Sequence, residues 1–143
     1  MNKEIIFLNL FVTWALVGLI WVIQLVHYPT FKFIAKDDFL AFHQHHTQSI
    51  TFIVMPLMLA EIGLAFYLAQ QQEWAMIWFI PLILVLLIWL STFLIQVPIH
   101  QQLGTGKDSF LIERLVLTNW IRTILWTIKA IWISYYFIRM PVR

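Results

Sequence analysis

Cysteine is absent from this sequence, and charged residues make up only 11% of it. Without cysteine there are no disulfides, no thiolate metal sites and no cysteine nucleophile. A soluble domain carries about a quarter of its residues as charges, so scarcity on this scale argues against disorder and against an ordinary water-soluble enzyme. The formal net charge of +2 is too small and too dispersed for a nucleic-acid partner. A Ser-His-Asp arrangement, a phosphate-binding glycine loop and a dinucleotide fingerprint are missing too. What the chain does have is apolar side chain, 62% of 143 residues. One domain of this length cannot hide that much behind a water-facing surface.

The apolar residues fall into four runs. Residues 5–26 and 74–99 carry no charge, 50–69 carry only Glu61, and 115–138 carry only Arg122 and Lys129. Each reaches the roughly 20 residues that cross a hydrocarbon core. Backbone polar groups left bare in lipid are costly, and the runs lack the alternation of a β-barrel, so each is expected to be a helix. The first run is expected to be retained, since it is too long for a signal peptide and runs on into His27-Tyr28-Pro29 without a small-residue cleavage site. The expected fold is all-α: one integral domain over residues 1–143, a four-helix transmembrane bundle with spans at about 5–27, 49–70, 75–98 and 115–138.

Four spans place both termini on one side and the first and third links on the other. All five histidines fall on that second side: His27 ends the first span, His43, His45 and His46 lie in the first link, and His100 follows the third span. Within the first link, Asp37 or Asp38 reads as an N-cap or first-turn acid. From about Phe39, the spacing of Phe39, Phe42, His43 and His46 predicts a short amphipathic helix. It either lies on the membrane surface or runs straight into the second span, in which case Pro56 would kink the longer helix. Gly104 to Lys107 is a turn signal. Lys and Arg number three on the terminal side (Lys3, Arg139, Arg143) and four on the histidine side, which leaves orientation open. A cytoplasmic amino terminus in a bacterial inner membrane is the working expectation.

The polar residues inside the spans are aligned. At 100° per residue Asn9, Thr13, Gln24 and His27 lie within roughly 60° of one another. Asn119, Arg122, Trp126 and Lys129 form a second stripe, and Thr92, Gln96 and His100 mark the third span. Counting about 1.5 Å per residue from the histidine side puts Arg122 about 10 Å deep, Glu61 roughly 17 Å and Lys129 about 20 Å. A charge at that depth costs at least ~2.5–3.5 kcal/mol unless it is paired or hydrated. Glu61 is therefore expected to pair with Arg122 or Lys129, or to line a polar pocket. These charges either lock the bundle together or serve chemistry.

Imidazole suits Zn, Cu, Fe and Ni, and two histidines three apart on a helix can share an ion. His43 and His46 have that spacing, and His27 and His100 lie at a similar depth. These four are the candidate metal ligands for Fe, Cu or Zn, with Glu61 as a carboxylate ligand if the site reaches deeper. Haem fits less well, because the histidines sit at helix ends. On the plainer alternative His27 caps its helix and the others are interfacial; His45 points away from His43 and His46 and is expected to face solvent.

Two short motifs add to this. Pro98-Ile99-His100-Gln101-Gln102-Leu103 follows a span, and Asn119-Trp120-Ile121-Arg122-Thr123 lies in the next. The pairing resembles a family of small four-span membrane proteins of unknown function that includes the anthrone-oxygenase-like proteins. Its members show Pro-x-Asn-x-x-Leu and Asn-x-x-Arg-Thr at these places. The resemblance implies a polar pocket at Asn119 and Arg122 and an oxygenase-type reaction on an aromatic or quinone-like molecule. His100 stands where the family has Asn, which implies a metal-binding offshoot.

The sequence thus points to a membrane protein with a histidine-rich pocket on one face. As an oxidoreductase or oxygenase it would act on a small lipophilic substrate from the bilayer, with Arg122, Asn119 and Glu61 as catalytic groups. The alternative is a non-enzymatic metal carrier, transporter subunit or accessory protein, which would work as a homo-oligomer.

Overall fold

The computed structural model describes residues 3–140. It is all-helical, with four long helices: α1 (Lys3–Phe33), α2 (Lys36–Gln71), α3 (Met76–Leu103) and α4 (Ser109–Ile138). By length and composition α1, α2 and α3 can each cross a membrane. The apolar run of α4 is broken by Asn119, Arg122 and Lys129, and α4 is not among them. Around the bundle α1 packs on α2 and α4, and α3 packs on α2 and α4.

The surface is apolar and much of the interior is polar. Phe7, Phe11, Leu25, Phe52, Leu94, Leu117 and Ile131 are exposed, while Asn9, Thr13, Gln24, Glu61, Gln96, Asn119, Arg122 and Lys129 are buried. This inverts the arrangement water imposes and suits a hydrocarbon surround, where exposed apolar side chains cost nothing. Both expected stripes, on α1 and α4, therefore face inward. The eight tryptophans divide between surface and interior; Trp78 and Trp126 are buried.

The links are shorter than the sequence suggests. Only Ile34 and Ala35, both extended, separate α1 from α2. Of the two alternatives for the short amphipathic helix from about Phe39, the structure shows the one that runs straight into the second span: it is the start of α2, which begins at Lys36, carries Asp37 and Asp38 in its first turn and continues through Pro56. No side chain caps this helix, so the two acids act on its dipole rather than as an N-cap. The turn at Gly104–Lys107 ends at Asp108, whose side chain accepts the Leu111 N–H at 3.0 Å and so caps α4. Lys107 reaches back to the carbonyls of Lys32 and Ile34 at 2.9 and 2.6 Å, and Lys32 pairs with Glu113 at 3.1 Å. The two links on the histidine side are thereby tied together. Arg143, counted on the terminal side, lies outside the described residues.

Two departures from regular helix shape that same side. In α1 the Tyr28 N–H bonds back five residues to the Ile23 carbonyl, and in α3 the Val97 N–H does the same to Thr92. Each π-helical turn ends two residues before a proline, Pro29 or Pro98. Proline has no N–H for the i−4 carbonyl and its ring crowds that carbonyl, so one extra residue in the preceding turn relieves the clash without breaking the helix.

Candidate functional site

The π turn of α1 and the first turns of α2 bring the histidines together. Phe31 and Phe39 are fully buried and meet edge to face, fixing the start of α2 against the end of α1. His43 and His46 follow Phe39 on the inward face of α2 and are buried, whereas His45 is exposed, as its spacing predicts. His27 Nε2 lies 2.6 Å from His46 Nδ1, and His43 Nε2 lies 3.0 Å from His100 Nδ1. The His46 and His100 rings have centroids 5.7 Å apart, so the two pairs adjoin. The four expected histidines thus converge, but as two hydrogen-bonded pairs. Among the described residues no three His, Asp or Glu side chains are gathered so as to hold a metal ion. His46 Nε2 is buried without a partner.

From the His43–His100 pair a continuous network runs to α4 and back to α1. Tyr28 Oη is 3.1 Å from His100 Nε2 and accepts from Arg122 Nη2 at 3.3 Å. Arg122 also donates from Nε to Asn119 Oδ1 at 3.0 Å, with a second donation from Nη2. Asn119 donates to Gln24 Oε1 at 2.8 Å, and Gln24 donates to the Val116 carbonyl at 3.0 Å. A guanidinium only donates, which sets the direction of the chain. Tyr28 accepts from Arg122 and has its own proton for His100 Nε2. His100 then holds its proton on Nδ1 and donates it to His43 Nε2.

The network opens on a cavity of about 620 Å³. Leu16, Ile20, Val54, Met58, Phe93 and Trp126 contribute to its apolar walls; Tyr28, His43, Gln96, His100 and Arg122 make its polar end. α2 and α3 pack closely over the part of α3 before Thr92 and little beyond it. The mouth lies there, rimmed by exposed Leu40, Met55 and Phe93.

Glu61 lies elsewhere. Lys129 donates to its Oε1 at 2.6 Å and to Thr13 at 2.7 Å, and Trp126 donates to its Oε2 at 2.9 Å. Of the two expected partners the one chosen is Lys129, with both side chains fully buried. Glu61 is thus neither beside the histidines nor the counter-ion of Arg122. Asn119 and Arg122 do stand together. The sequence reading missed Tyr28 as a site residue, because its place beside His27 suggested an interfacial ring; Pro29, which forces the π turn, is the signal that it turns inward. Gln24 was visible in the α1 stripe, but not as the partner of Asn119. Comparison of the chain with protein-family models, curated proteins and solved structures found no match.

Proposed function

We propose that the protein is an integral protein of a bacterial inner membrane that takes a small lipophilic, aromatic or quinone-like molecule into this cavity and acts on it as an oxidoreductase or oxygenase. In this reading all four helices cross the bilayer, α4 with its charges turned inward. The observation that carries the reading is the cavity itself, with apolar walls and one polar end of Arg122, Tyr28, His100 and His43. Small-molecule sites have this composition. The gap between α2 and α3 admits a molecule from the hydrocarbon. Arg122, positioned by Asn119, orients an oxygen of the ring, and Tyr28, His100 and His43 exchange protons with it. The likeness of the two short motifs to the anthrone-oxygenase-like proteins points to the same substrate class.

Quinones quench indole fluorescence, and Trp126 lines the cavity. Titrating a short-chain quinone into the protein in lipid nanodiscs is expected to give saturable quenching that His100→Ala weakens. Quenching that rises linearly and equally in both proteins would refute the reading. A second reading, a metal carrier, rests on the unpartnered buried Nε2 of His46. It requires Fe, Cu or Zn in stoichiometric amounts in the purified protein, with loss of that metal in His46→Ala.

A further inference from the structure

The buried charges do not balance. Among the described residues the charged side chains buried in the bundle are Glu61, Lys129 and Arg122, one acid against two bases. Lys129 takes the acid. The other ion pair among the described residues, Lys32–Glu113, is exposed at the links. Arg122 is 6% exposed, and its hydrogen-bond partners, Asn119 and Tyr28, are both neutral. Nη1 has no partner among the described residues, and the side chain lines the cavity. The imidazoles next in the network supply no negative charge.

A guanidinium cannot shed its proton to escape a medium of low dielectric, as a lysine or histidine can. An unpaired one beside an apolar cavity is costly to keep, and Gln in its place would hydrogen-bond Asn119 and Tyr28 without that cost. The missing charge has one place to come from, the occupant of the cavity. We propose that Arg122 reads charge, and that the cavity takes amphiphiles with a single anionic oxygen head, a carboxylate or a phenolate-type oxyanion, on an apolar body. The proposal rests on the cavity being the binding site and deepens that reading by naming the head group. With Nε and Nη2 taken by Asn119 and Tyr28, Arg122 meets such a head with the two N–H groups of Nη1 and its charge, and a second negative charge would find no cation there.

The test compares naphthoate with neutral naphthamide, matched in shape and differing in charge, by calorimetric titration near neutral pH. Wild-type protein is held in nanodiscs of zwitterionic lipid, with empty nanodiscs as the control. Naphthoate is expected to bind at least about tenfold more tightly than naphthamide, the scale of one buried charged hydrogen bond. Arg122→Gln should abolish the difference between the two compounds, and Arg122→Lys should keep part of it. The wild-type comparison stands even if the variants fail to fold. Equal binding of the two compounds, or tighter binding of the amide, overturns the charge assignment and leaves the cavity reading intact. No binding of either above the empty nanodiscs overturns both. Phosphatidylglycerol in the nanodiscs tests the nature of the head: if it displaces naphthoate the anion is a lipid phosphodiester and the assignment to a carboxylate or phenolate-type head is overturned, and if it does not that assignment stands.

Discussion

Lys129→Met removes the cation from a carboxylate that sits wholly inside the bundle. Glu61 would keep the Trp126 N–H at 2.9 Å and the weak Thr13 contact at 3.5 Å, but nothing of opposite charge. Breaking a fully buried ion pair from one side costs about 3–5 kcal/mol, because the orphaned charge is desolvated without compensation. For a chain of this size that corresponds to a fall in unfolding temperature on the order of 10 °C. Adding Glu61→Gln removes the orphan while leaving a side-chain oxygen for Trp126. The double variant should therefore recover to within about 1 kcal/mol of wild type, since an ion pair contributes little beyond a neutral pair of similar shape. Thermal unfolding in mild detergent, followed by tryptophan fluorescence, gives all four corners of the cycle. If the double variant is as unstable as Lys129→Met, the loss comes from packing and hydrogen bonds rather than charge. If Lys129→Met alone is silent, the pair is not buried as described. Either result refutes the reasoning.

Tyr28→Phe should cost about 1–3 kcal/mol, since it strands a buried nitrogen of His100 and one donor of Arg122, and the same unfolding assay will show it. Asp108→Ala should lower stability by about 0.5–2 kcal/mol through loss of the α4 cap, with Asp108→Ser close to wild type.

The sequence revealed positions along the bundle axis better than positions around it. The apolar runs located the helices, and counting residues placed Glu61 at a height between Arg122 and Lys129, nearer the latter. Choosing between the two bases also requires the direction each faces, and that depends on how α2 and α4 are rotated against each other. The histidines show the same split: their common height was legible, but the pairing of His27 with His46 and of His43 with His100 was not. The π turns explain part of this. An angle summed at 100° per residue assumes a regular helix, and the extra residue between Ile23 and His27 shifts everything after it. The start of α2 at Lys36 was obscured because polar residues there look like a link, whereas Phe31 and Phe39 bury enough ring to hold the helix together.

The two π turns have a consequence for how the protein tolerates change. Each lies between the mid-bundle stretch, where Thr13 meets Glu61 and Lys129, and the segment that carries the imidazoles. Closing either turn into regular helix with every residue kept, as Pro29→Ala or Pro98→Ala would favour by removing the clash, would swing that helix's histidine-side end by about 100°, carrying Tyr28 away from Arg122 in α1, or His100 away from His43 in α3. The residues closer to the termini would keep their facing. The bundle is therefore built in two storeys that can be re-aimed separately, and closing the wide turn at either landing dismantles the upper one while the lower one stands.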